Sequence, residues 1–135
     1  MRPLRPATAA TRRRGDAGSV SLELVVVFPA VLALVFGIVQ AGLYYSARSV
    51  AATAAQEGAR AASLETGTAA DGRDAALAFA ARAGSGLLLE SAANSSRAPT
   101  QVTVVVTGSA MSVLPGVGGP PIRQSASLPA ERITR

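Results

Sequence analysis

The sequence predicts an α+β fold: a long N-terminal transmembrane α-helix extended by a soluble helical arm, then a second helix and a small antiparallel sheet of two or three strands. Three observations predict it. Residues 24–47 carry no charge and are mostly Leu, Val, Ile, Ala and Phe. Residues 46–64 are rich in alanine, the best helix former. After Gly86 the character changes, and segments 101–107 and 122–128 show β-branched or alternating patterns.

The elements follow in order. Arg2, Arg5, Arg12, Arg13 and Arg14 precede Gly18 with only Asp16 opposing them, so most of the net charge of +5 belongs to a basic leader, residues 1–18. The membrane helix is placed at 19–45. Its uncharged part, Leu24 to Tyr45, makes about 33 Å of helix at a rise of about 1.5 Å per residue, enough for a bilayer core. A cleavable secretory signal has a shorter apolar region, about 7–15 residues, followed by an A-x-A-like site. Here the run ends in Gln40-Ala41-Gly42-Leu43-Tyr44-Tyr45, where paired tyrosines suit the far interface. The positive-inside rule puts the arginine head in the cytoplasm and the C-terminal part outside.

Residues 46–64 extend the helix into water, with Glu57 and Arg60 spaced to pair at i, i+3. Leu43, Ala47, Val50 and Ala54 form a narrow seam that another helix can approach. Thr66-Gly67-Thr68 breaks the pattern. Asp71 is expected to cap a second helix running to about Arg82, with Asp74 near its positive end and Gly84 as terminator. Leu87 to Ser91 is ambiguous between strand and helix. Gln101 to Thr107 reads as a strand, 116–121 as a glycine-proline loop, and Ile122 to Leu128 as a half-buried strand. Residues 65–128 thus make a small α+β domain, and 129–135 a flexible tail.

Composition narrows the function. About 90 residues remain after the apolar run, enough for a small core. Cysteine and histidine are both absent, which removes disulfides, thiolates, and the commonest general base and metal ligand. All 13 basic residues are arginine. From Tyr45 onward the arginines nearly balance the acids, and aromatics are few, so a nucleic-acid partner is not expected. Asp71 and Asp74 read as helix-start residues, and no phosphate-binding helix follows Gly116-Val117-Gly118-Gly119. No catalytic, cofactor-binding or metal-binding residue is assigned, and neither an enzymatic activity nor a small-molecule substrate is expected.

The candidate functional residues lie on the apolar helix. Glu23 is a carboxylate at its edge. At mid-bilayer such a group costs about 2.5–3.5 kcal/mol on insertion scales, and less at the border. It is either an interfacial residue reaching water or a carboxylate kept for assembly. Pro29 lacks an N–H and clashes one turn back, so a kink is expected near Val25 to Pro29. Ala33, Gly37 and Ala41 form a small-xxx-small ridge at the spacing that lets membrane helices pack closely.

A glycine (Gly18) followed five residues later by Glu23, at a basic-to-apolar border, is similar to the cleavage site of type IV prepilin-like proteins. With Arg13-Arg14-Gly15, the run Leu24-Val25-Val26-Val27-Phe28-Pro29, Gln40-Ala41-Gly42 and Ala55-Gln56-Glu57-Gly58-Ala59-Arg60-Ala61-Ala62, the chain resembles the TadE-like family over residues 12 to 62. These are pseudopilin-type membrane proteins of tight-adherence (Flp-type) pilus systems. The resemblance implies cutting by a prepilin peptidase between Gly18 and Ser19. The new amine at Ser19 would then lie one helical turn from Glu23 and could pair with it, or with the Glu23 of a neighbouring subunit. Ser19 stands where ordinary type IV pilins have a bulky apolar residue, and no tyrosine follows Glu23 as it does in Flp major pilins.

The expected function is that of a structural minor pilin or pseudopilin of such a pilus or a related secretion apparatus. Its partners would be membrane lipid, the peptidase, and other pilin-like subunits or pilus assembly proteins. It would be a single-pass protein of the cytoplasmic (inner) membrane with an extracytoplasmic C-terminal domain, or part of an extracellular pilus. The alternatives are an uncleaved, membrane-anchored extracytoplasmic binding module and a secreted protein cut in the forties.

Overall fold

The structure, a computed structural model, describes residues 16–131, and residues 16–22 by their backbone alone. Residues 1–15 of the basic leader and 132–135 of the tail lie outside the described residues. Helix α1 spans Asp16–Ser63 and α2 spans Ala69–Ala83; the strands are β1 (Leu88–Arg97), β2 (Gln101–Ala110) and β3 (Pro121–Pro129). The three strands form one antiparallel sheet in the order β1-β2-β3. This is the α+β arrangement the sequence predicts. The chain divides into two units, one ending at Val35 and one starting at Phe36.

In the first unit α1 runs without interruption through Pro29. Its apolar side chains are turned outward: Leu24, Val26 and Phe28 are 65%, 71% and 62% exposed. No charged residue occurs from Leu24 to Ala47.

In the second unit the rest of α1 is the centre of the fold. The sequence separates a helical arm (46–64) from a domain (65–128); the structure builds both around one core. Ala47, Ala51, Ala54, Ala55, Ala59 and Ala62 are fully buried on one face of α1. They meet Ala76 and Ala80 of α2 and Val102, Val104 and Val106 of β2 in one apolar cluster. Period 3.6 on α1 and period 2 on β2 place these residues on the faces that meet. The seam read at Leu43, Ala47, Val50 and Ala54 therefore faces the protein's own elements: Ala47 and Ala54 are buried, and Val50 packs against the cluster. The predicted Glu57–Arg60 ion pair forms at 2.9 Å on the exposed side.

The α2 start differs from expectation. Thr68, not Asp71, is the N-cap, with extended backbone (φ −115°, ψ 166°). Asp71 is the third helical residue of a capping box: its N–H donates to Thr68 Oγ1 at 3.1 Å, and its carboxylate accepts the Thr68 N–H at 2.8 Å. The Thr68 hydroxyl also donates to that carboxylate at 2.7 Å. The hydroxyl and then the backbone N–H of Thr68 hold the Asp71 carboxyl below its ordinary value. A depressed carboxyl contributes stability above its unfolded value near 4 and loses it as pH falls through the lower folded value. Asp71→Asn is therefore expected to flatten the acid limb of the stability curve below about pH 4, slightly destabilising the protein at neutral pH. Thermal unfolding across pH 2–7 checks this; an unchanged acid limb contradicts it. At the other end Gly84 terminates α2, its N–H donating to Ala80 O at 2.8 Å.

β1 is longer than the ambiguous Leu87–Ser91 piece. Ala92 to Arg97 are poor strand formers by composition, yet they pair in register with Thr107 to Val102. A bulge between Leu89 and Ala92, with Glu90 at φ 52°, separates this part from the apolar start. Arg97, at the end of β1, donates to the carbonyls of Ala62 and Leu64, the latter at 2.8 Å. It thus satisfies orphan carbonyls at the C-terminus of α1 and puts a cation at the negative end of the helix. The start of the predicted tail is tied down: Ala130 N–H donates to Thr100 O at 3.1 Å and Glu131 N–H to Ser63 O at 3.0 Å.

Candidate functional site

Residues 18–41 of α1 carry every candidate that the sequence singles out. The described backbone is already helical at Asp16, so the Gly18–Ser19 bond lies within α1. Ser19 and Glu23 are four residues apart on continuous helix, which sets them one turn apart on the same face. Glu23 is exposed.

Pro29 sits within the helix and supplies no N–H to the carbonyl of Val25. Leu24, Val25, Phe28 and Pro29 line a shallow, open apolar recess on this stretch. Ala33, Gly37 and Ala41 are all exposed and share one face. A Cβ added at Gly37 would meet nothing within 4 Å, so the fold of this chain does not itself require glycine there. The small-residue ridge is uncovered by its own chain.

Two further features were not legible as sites in the sequence. The first is Gln40, the amide near the end of the apolar run. Its Nε2 donates to Met111 O at 3.0 Å, and its Oε1 accepts the Val113 N–H at 3.0 Å. Both ends of one side chain thus clamp the β2–β3 loop onto α1. The available signal was a single amide in an otherwise apolar stretch, which demands a hydrogen-bonding partner wherever water is scarce.

The second is the crossing of α1 and α2. A Cβ built on Gly58 would stand 2.5 Å from the Gly72 carbonyl oxygen, 2.9 Å from Ala76 Cβ and 3.1 Å from Val104 Cγ1. One built on Gly72 would stand 2.7 Å from Ala62 Cβ and 2.9 Å from the Gly58 oxygen. The two glycines face each other at a backbone-to-backbone contact. Glu57-Gly58-Ala59-Arg60-Ala61-Ala62 therefore has a structural account: Gly58, Ala59 and Ala62 are the buried small residues that let α2 and the sheet close on α1.

Among the described residues no three His, Cys, Asp or Glu side chains come together to hold a metal ion. Among the described residues one helix, α1, is long and apolar enough to cross a membrane. The family model of TadE-like proteins matches residues 18–60, from Gly18 through the apolar run to Arg60. No curated protein and no solved structure matches the chain.

Proposed function

We propose, from the similarity of residues 18–60 to TadE-like proteins, that the chain is a structural minor pilin or pseudopilin of a tight-adherence pilus or a related secretion apparatus. TadE-like proteins are a pilus-associated structural family, and membrane association and pilus assembly come with that similarity. The minor-pilin role and processing after Gly18 are the finer part of the proposal. What supports it is a coincidence of position: the matched segment contains the apolar stretch of α1 that its own chain leaves uncovered.

An uncovered apolar helix needs an apolar surrounding. Lipid supplies it before assembly, and the helices of neighbouring subunits supply it afterwards. Glu23 gives that exchange a direction. In the bilayer it is held at the cytoplasmic edge. Cutting after Gly18 removes the arginine head and creates a cationic amine at Ser19, one turn from the carboxylate. In low dielectric the amine of one subunit and the Glu23 of the next favour each other's charge, so the pair fixes axial register between subunits. The ridge Ala33, Gly37, Ala41 lets those helices approach closely, and Pro29 provides a point where α1 bends as it leaves the membrane. The C-terminal domain, closed around residues 47–62 of α1, stays outside as the part presented to the envelope. The partners are the prepilin peptidase, other pilin-like subunits and membrane lipid.

N-terminal sequencing of the chain isolated from its cell tests this reading. A start at Ser19 is expected. A start upstream of Gly18 favours a membrane-anchored binding module instead.

A further inference from the structure

We infer that the β2–β3 loop, residues 111–120, is a second membrane contact, lying in the outer interface of the bilayer beside α1. The inference rests on the reading of α1 as a membrane helix. Met111, Leu114 and Val117 are exposed apolar side chains (44%, 44% and 56%), and no charged residue occurs anywhere between Arg97 and Arg123. Scattered exposed hydrophobics are ordinary on a soluble surface; this group is placed by a specific device. The Gln40 clamp bonds Met111 and Val113 to a position on α1 one turn before Tyr44 and Tyr45. Those tyrosines suit the membrane–water boundary. A loop bonded to Gln40 is therefore held on the lipid side of them.

Part of the loop's backbone is satisfied by protein, as that depth requires. Irregular backbone near hydrocarbon requires its polar groups to be satisfied by protein. Pro115 and Pro120 have no N–H to satisfy. The N–H groups of Met111, Val113, Leu114 and Val117 donate to Leu87 O, Gln40 Oε1, Ser112 Oγ and Leu114 O. Gln40 in turn is engaged at both ends of its amide, through Nε2 and Oε1. The occupant this arrangement fits is lipid, at the level where acyl chains meet headgroups.

The absence of cysteine makes the test clean. Full-length protein carrying a single Val117→Cys is labelled with an environment-sensitive fluorophore and reconstituted into vesicles of phosphatidylcholine and phosphatidylglycerol, with and without a lipid bearing a nitroxide quencher high on its acyl chain. Leu32→Cys reports the helix, and Ser96→Cys on β1 reports the exposed domain surface. The label at Val117 is expected to emit blue-shifted light and to lose more than half its intensity to the lipid quencher. The label at Ser96 should keep its intensity. Quenching at Leu32 without quenching at Val117 overturns the loop contact while leaving the membrane helix intact. Quenching at neither position overturns the membrane reading and the loop contact together. Protection of Val117 from aqueous iodide without lipid quenching assigns the loop to a protein neighbour, which also overturns it.

Discussion

Replacing Gly58 by valine is expected to unfold the C-terminal domain at temperatures where the native protein is intact. The first carbon of the new side chain would stand 2.5 Å from the Gly72 backbone oxygen, with Ala76 and Val104 closing the remaining space. A flexible side chain could swing away, but a carbonyl on α2 moves only if the helix moves. Overpacking of this kind costs about 1–3 kcal/mol, and a β-branched residue against backbone belongs at the top of that range. Alanine is a gentler case, since its better helix propensity returns about 1 kcal/mol. At about 4–8 °C per kcal/mol for a domain of this size, Gly58→Val should lower Tm by about 12–24 °C. Gln56→Ala, exposed on the same helix, should stay within about 0.5 kcal/mol of the native protein. Thermal unfolding of the full chain in detergent, followed by circular dichroism, reads both. An unchanged Tm for Gly58→Val would mean that α1 and α2 do not meet at these glycines.

The second large effect is on assembly. Glu23→Leu should insert into the membrane and be cut after Gly18 as usual, yet fail to enter the apparatus. A charge-assisted hydrogen bond contributes about 1.5–3 kcal/mol, equivalent to about a ten- to a hundred-fold loss of incorporation. Glu23→Gln keeps the acceptor and loses the charge, so it should fall between the two. The amount of each variant in sheared filaments, relative to the membrane fraction, reads the difference. Equal incorporation of Glu23→Leu and native protein would make Glu23 an interfacial residue with no part in assembly.

How much of this was legible in the sequence depends on which physical force writes each element. Lipid dictates composition directly, so the apolar run could be read from residues 24–45 alone. β2 and β3 were legible because β-branched and alternating residues suit a half-buried pleated surface. β1 beyond Ser91 was not, because Ala92-Ala93-Asn94-Ser95-Ser96-Arg97 are held as strand by pairing with β2 rather than by their own preference. The cap of α2 was misplaced by three residues for a related reason. Thr68 and Asp71 are both good cap residues, and only their reciprocal hydrogen bonds show which one caps.

The α1–α2 contact was hidden by its own chemistry. In a chain rich in alanine and glycine, the small residues that a close crossing requires look the same as compositional bias. For the same reason residues 46–64 read as an arm in water, whereas their alanines form the buried face. Gln40 and Arg97 act on backbone carbonyls far away in sequence, at Met111 and at Ala62 and Leu64, and nothing local marks such partners. On the apolar helix itself the sequence names Glu23, Pro29, Ala33, Gly37 and Ala41, and the fold leaves all of them exposed.

The central claim is that Glu23 acts together with an amine made by cutting the chain. The N-terminal sequence of the protein isolated from its own membranes or filaments tests it most directly. The account predicts that the chain starts at Ser19, and that it stays longer when the prepilin peptidase is deleted. A native chain that still carries residues upstream of Gly18, or one that starts in the forties, would contradict it.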